Sequence, residues 1–234
     1  MTDKGFILIH GAGLGSYIWD EMIKLLNHPA LAINFPNRNN SDGMNSKLRF
    51  GDYTNSVIEQ ISDLNVAKFV IVTHSIGGCV GLKVAEHFSN KTAGFAAIGS
   101  AIPQYGNSFI SCLPFPKKII LPVIMKLAGT RPPAKAIETG LCNDLNSSQK
   151  KMVIQNFTAE SRFLYTDKCN AGIPNTSRMY IKLTLDNEFP VSMQNKMANN
   201  LKAKNIKEIE SGHLPMMSQP VKLAEILNNF SDNL

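Results

Sequence analysis

The stretch Phe69-Val-Ile-Val-Thr-His-Ser-Ile-Gly-Gly78 sets a serine at the end of a short β-branched apolar run. Apolar residues at helical spacing follow it, Val80, Val84 and Phe88. Strand, sharp turn and helix with a serine at the turn are the build of a nucleophile elbow. Such a turn lifts the serine Oγ off the sheet edge and aims the first N–H groups of the next helix at charge developing beside it. Glycine two residues after Ser75 fits, because the helix passes close to the strand there. Two residues before it stands Thr73, where the same crowding favours glycine, so the turn departs from the pattern on that side.

A serine hydroxyl attacks a carbonyl only when a base takes its proton, and the base needs an acid to fix its tautomer. On an alternating strand–helix chain the order is serine, then Asp or Glu, then histidine, each beyond the carboxyl end of a strand. Asp186 follows a strand predicted to end at Leu185, and His213 follows one predicted to end at Ile209. Ser75, Asp186 and His213 are therefore the candidate catalytic residues. Glu188 is a rival acid, and His10, His28, His74 and His87 are rival bases. His28 and His87 fall in or at the ends of helices, His10 belongs to the first turn, and His74 is expected to point away from the nucleophile.

The first turn, His10-Gly-Ala-Gly-Leu-Gly15, resembles a dinucleotide loop only loosely. Its spacing is not G-x-G-x-x-G, and the next strand ends in Asn34-Phe-Pro rather than an acid. Acyl transfer instead needs two N–H donors for the tetrahedral oxyanion. Ala12, just after the first strand, and Ile76, just after the serine, are the candidate oxyanion-hole donors.

These residues require a scaffold of parallel strands. Phe6–Ile9, Ala30–Phe35, 69–74, Gly94–Ile98, Met179–Leu185 and Ile206–Ile209 read as strands. Helices are expected after Ser16, which would cap an apolar face of Ile18, Met22, Leu25 and Leu26, and over 52–64, with Val57, Ile61 and Leu64 inward. Further helices are expected to about Asn90, over 191–201 and over 221–230. Alternation of this kind implies a mostly parallel sheet with helices on both faces. From about 101 to 175 it breaks into a proline-punctuated, mainly helical cap insertion within a single domain of residues 1–234. One helical patch there is 117–128. Another starts near Ser147, with Met152, Val153, Phe157, Phe163 and Leu164 on one side.

Composition excludes several classes. A chain of 234 residues with 44% hydrophobic and 18% charged residues is globular. The net charge of +6 comes without a dense basic block, so nucleic-acid binding is not expected. The four cysteines lack metal-ligand spacing and read as free thiols in a reducing, cytoplasmic setting. No metal or organic cofactor is required. The basic, apolar stretch 117–128 could lie on a membrane surface. Its apolar residues run continuously rather than on one side, which favours a lid helix and no stable membrane association. A monomer or homodimer is expected.

The whole chain resembles the α/β-hydrolase superfamily, and within it the small cap-bearing group of plant methyl esterases and hydroxynitrile lyases with their bacterial relatives. The resemblance is carried by His10-Gly-Ala, Trp19, His74-Ser-Ile-Gly-Gly, Asp186 with Pro190, and Gly212-His213. It implies the triad and oxyanion hole named above. Hydroxynitrile lyases of the group carry threonine at the position of Gly11 and lysine at that of Leu214, which makes that reaction the less expected one. Aspartate replaces the serine in dehalogenases and epoxide hydrolases of the superfamily. The expected activity is that of a carboxylesterase cleaving a small or medium apolar ester through an acyl-enzyme. A biosynthetic thioesterase and a non-enzymatic ligand receptor are the alternatives. Leu14, Phe109, Ile110, Leu113, Phe157, Phe163, Leu214 and Ile76 are the candidate substrate-pocket residues.

Overall fold

A computed structural model describes residues 4–38, 43–62 and 64–234. Six strands form one wholly parallel sheet: β1 (Lys4–Ile9), β2 (Ala30–Ala32), β3 (Lys68–His74), β4 (Thr92–Ile98), β5 (Ser177–Leu183) and β6 (Asn205–Ile209). Their order across the sheet is β2-β1-β3-β4-β5-β6, so the strand that carries Ser75 at its end lies in the interior. Parallel neighbours need crossovers that cover both faces, and the interior strands β1, β3 and β4 are accordingly buried and mainly apolar along most of their length. Successive side chains alternate between two cores. Ile7, Ile9, Phe69, Ile71, Phe95, Ala97 and Tyr180 enter one. Phe6, Leu8, Val70, Val72, Ala96, Ile98 and Met179 enter the other.

In chain order the helices among the described residues are α1 (Asp20–Ile23), α2 (Phe50–Ser62), α3 (Gly77–His87), α4 (Lys117–Ala128), α5 (Ala134–Thr139), α6 (Ser147–Asn156), α7 (Arg162–Thr166), α8 (Val191–Leu201), α9 (Pro215–Ser218) and α10 (Pro220–Asp232). Val57 and Ile61 of α2, Val80 and Val84 of α3, and Met193, Met197 and Leu201 of α8 pack on one face of the sheet. Met22 of α1 and Leu223, Leu227 and Phe230 of α10 pack on the other.

Three sequence expectations are corrected. The helix expected from Ser16 is a 3-10 turn, Ser16–Trp19, running into the single-turn α1. Ser16 does not cap it, because its hydroxyl accepts from Asn34 Nδ2 instead, and Leu25 lies exposed. The patch from Ser147 to Leu164 is two helices, since Phe157 leaves α6 in extended conformation and Ser161 caps α7. Met152 is exposed rather than inward. Leu64 lies beyond the end of α2, although it still packs on the core. The Asn-rich stretch 36–47, whose composition predicts a polar loop, lies partly outside the described residues.

Candidate active site

β3 ends at His74, and Ser75 turns the chain into α3 with a φ of 53°, a left-handed conformation that costs a serine energy. The turn is held on both sides. Ser75 N–H donates to Ile98 O at 3.4 Å, and Ser75 O accepts from Ala101 N–H at 2.9 Å. Glycines let the helix come close: a Cβ at Gly77 would lie 2.6 Å from His10 O, and one at Gly78 would lie 2.4 Å from Ala101 O. The crowding expected at Thr73 is relieved by Gly81, which carries no side chain where Thr73 Cγ2 sits. Thr73 Oγ1 also lies 3.0 Å from Ser100 Oγ, so its buried hydroxyl is satisfied.

Asp186 and His213, 27 residues apart in sequence, meet beyond the ends of β5 and β6. His213 Nδ1–H donates to Asp186 Oδ2 at 2.8 Å, with both side chains buried. The N–H groups of Glu188 and Phe189 donate to Asp186 Oδ1 at 2.8 and 3.0 Å, which fixes the carboxylate. Burial pushes Asp186 up, but the His213 charge and these hydrogen bonds hold it below the usual carboxylate value. Burial likewise pushes His213 down, yet the Asp186 charge beside it keeps the imidazole above its ordinary value. With Nδ1 donating to the acid, Nε2 is the ring atom left to accept a proton. Glu188 sits apart from this pair, against Gly140, whose missing side chain makes room for its carboxylate.

Ser75, Ile76, Ala12 and His213 line one cavity of about 730 Å³, within the size range of small-molecule sites. Among the described residues neither Ala12 N–H nor Ile76 N–H donates to a protein acceptor. Helix α3 begins beside Ser75, and its N-terminal dipole adds positive potential there. The rest of the wall is mainly apolar, from Phe109, Leu113, Ile120, Leu121, Ile124, Met125, Ile137, Phe157, Tyr165 and Phe189, with Lys117, Arg131 and Glu188 as its charged members. A second hollow, of about 810 Å³ and lined by Lys202, Lys204, Lys207 and Lys222, contains none of the candidate catalytic residues.

Of the expected pocket residues, Phe109, Leu113, Phe157 and Ile76 line the cavity. Leu14, Ile110, Phe163 and Leu214 do not. Leu14 and Leu214 are buried in the core under α1 and α10, and Ile110 packs against the opposite core. Phe163 stacks between the guanidinium groups of Arg49 and Arg162, at 4.2 and 4.5 Å. The inward residues of α4 were not foreseen, because a continuous apolar run does not say which side faces in.

Two histidines expected to be incidental support the site. His74 is buried, its ring lies 4.6 Å from that of His213, and its Nε2–H donates to His213 O at 2.8 Å. Burial and the neighbouring His213 hold His74 well below the ordinary histidine value, so it is a neutral donor. His10 Nδ1–H donates to Gly11 O at 2.7 Å, and Phe35 N–H donates to its Nε2 at 3.2 Å. That pair of bonds fixes the first turn beside Ser75. A Cβ at Gly11 would lie 2.8 Å from Ser75 Cβ, so this position has no room for a side chain. His28 sits 3.6 Å from Asp232, and His87, in the last turn of α3, meets the ring of Phe88 edge to face at 4.7 Å. All four cysteines are free and buried.

This arrangement agrees with what the chain is similar to. Residues 6–226 match the model described as "Alpha/beta hydrolase family". Norfluorocurarine synthase 1 of Strychnos nux-vomica is 25% identical over 99% of this chain and 96% of its own. Polyneuridine aldehyde esterase of Rauvolfia serpentina is 25% identical over 98% and 96%. An extracellular alpha/beta-hydrolase from a Paenibacillus species superposes with a TM-score of 0.84 at 19% identity, over 96% of this chain and 98% of that one. The chain belongs to the alpha/beta hydrolase family.

Proposed function

We propose that the chain is a carboxyl-ester hydrolase that works through an acyl-enzyme on Ser75, with Asp186 and His213 completing the triad. The observation that carries this reading is the 2.8 Å bond from His213 Nδ1–H to Asp186, with His213 and Ser75 on the wall of one cavity. His213 Nε2 takes the proton of Ser75 as the hydroxyl attacks the ester carbonyl. The link from Ser75 to His213 closes in the substrate complex, as such links commonly do. The oxyanion that forms accepts from Ala12 N–H and Ile76 N–H, neither of which donates to a protein acceptor among the described residues. His213 then protonates the departing alkoxide, and a water activated by the same ring releases the acid.

The mainly apolar wall favours a small or medium apolar ester, and the esterase among the relatives supports ester chemistry. Threonine at position 11 and lysine at position 214 are both missing, which disfavours cyanohydrin cleavage. The residues from about 101 to 175 serve as a mainly helical cap within a single domain of residues 1–234. The buried free thiols support a reducing compartment such as the cytoplasm. The test is hydrolysis of p-nitrophenyl esters from acetate to octanoate, with matched thioesters, by wild type and Ser75→Ala. Turnover abolished by the substitution, with an acyl group on Ser75 seen by mass spectrometry, is the expected result. Equal inertness of both proteins, with tight binding of an intact ligand, would replace the enzyme with a receptor.

A further inference from the structure

Helix α4 divides its apolar residues between two sides. Leu121 and Met125 face the Ser75 cavity, and Ile120 and Ile124 lie at its rim. Ile119, Val123 and Leu127, each four residues from the next, form an outward stripe with no cover, and Leu127 is 81% exposed. Phe115, in the turn before the helix, is 72% exposed on its approach. Large apolar side chains in such a row are uncommon on a solvated surface and mark a contact site.

Charge identifies the partner. Residues 101–137 contain Lys117, Lys118, Lys126, Arg131 and Lys135 and no Asp or Glu. Among the described residues Lys117, Lys118 and Lys126 form no ion pair, whereas Lys135 pairs with Glu138 at 3.0 Å. A second copy docked through this face by a two-fold axis would set lysines against lysines, with no acid of the segment to meet them. An anionic lipid surface satisfies both features, taking the apolar stripe among its acyl chains and the lysines at its headgroups. At 12 residues α4 is too short to cross a bilayer, and among the described residues no helix meets that requirement.

We propose that α4 and the Phe115 turn form a reversible docking surface for an anionic lipid bilayer. Docking would place the wall of the Ser75 cavity at the membrane, where apolar esters concentrate. The sequence favours no stable membrane association; a reversible contact goes beyond that reading, and it is carried by the two faces into which the structure divides the apolar run.

The test is flotation of the full chain with vesicles of phosphatidylcholine alone or containing ~30% phosphatidylglycerol. Wild type is expected to float with the mixed vesicles and to be released by salt. It should not float with phosphatidylcholine alone. Ile119→Ser/Val123→Ser/Leu127→Ser and Lys118→Glu/Lys126→Glu should each reduce bound protein at least about tenfold. None of these five residues lines the cavity, and thermal unfolding checks that the variants fold. Wild type that stays in solution with both vesicles overturns the proposal. So does binding that neither variant weakens. A dimer by light scattering that the triple serine variant dissolves also overturns it and assigns the face to a second copy.

Discussion

Thr73 fits beside the elbow because Gly81, one turn into α3, is glycine: a Cβ there would lie 2.3 Å from Thr73 Cγ2. Both residues are buried, so neither can move aside into solvent. Gly81→Ala should therefore destabilise the fold by about 1–3 kcal/mol through overpacking. That outweighs the gain of about 1 kcal/mol from a better helix former. Thr73→Ser removes Cγ2 and keeps the hydroxyl that meets Ser100. The double variant should recover most of the loss, and a double-mutant cycle from urea unfolding measures the coupling.

His74 supports the proposed base from behind. His74→Phe keeps a ring in the buried site but leaves the His213 carbonyl without its 2.8 Å donor. A loss of about 1–3 kcal/mol in unfolding free energy is expected for the orphaned acceptor. A fall in kcat larger than any change in KM is expected as His213 loses its fixed position. Unchanged stability and kcat would mean that water replaces the donor at no cost.

Acid–base behaviour follows from the Asp186–His213 pair. In the proposed mechanism only neutral His213 accepts the Ser75 proton, and the Asp186 charge raises the His213 pKa from the ordinary value of 6.5. The kcat/KM profile should therefore rise with pH through an apparent value above 6.5. Asp186→Asn removes the raising charge, so the limb should move to lower pH while the plateau drops by about 10³–10⁴-fold. Stability gives a second readout. His213, raised when folded, contributes below 6.5 and loses its contribution as pH rises through the folded value. Asp186, lowered when folded, contributes above 3.8 and loses its contribution as pH falls through the folded value. The melting-temperature gap between wild type and Asp186→Asn should be widest between 3.8 and 6.5.

Glu160 ties the helical segment to the turn that carries Ala12. Gly13 N–H donates to Glu160 Oε1 at 3.0 Å, Thr158 N–H donates to Gly13 O at 2.9 Å, and Arg38 pairs with the same carboxylate oxygen. Both charged side chains are buried. Removing either partner strands the other, so Arg38→Ala and Glu160→Ala should each cost about 3–5 kcal/mol. Glu160→Gln keeps an acceptor for Gly13 N–H and should retain more esterase activity than Glu160→Ala. Equal activity of the two would show that the Gly13 bond does not position the turn that carries Ala12, the proposed oxyanion donor.

The strand–helix alternation was legible because each element announces itself within its own residues. β3 is a β-branched run, α3 places Val80 and Val84 one turn apart, and the turn between them ends on glycines. The helix expected from Ser16 failed because a tertiary partner, Asn34, took the hydroxyl that was to cap it. The helix expected through Phe157 failed because Gly13 offers that ring a seat: a Cβ on Gly13 would lie 2.1 Å from it.

By itself the sequence determined the local chemistry: a serine at a strand–helix turn, a glycine-rich first turn, and acids and histidines beyond later strands. Only the tertiary structure decided which of these meet. It set Asp186 rather than Glu188 on His213, and turned His74 onto the His213 carbonyl 139 residues away. It also split α4 between the cavity and solvent. The physical reason is range. Periodicity and turn propensity act over a few residues, whereas hydrogen-bond partners and buried faces are chosen by packing between segments far apart in the chain.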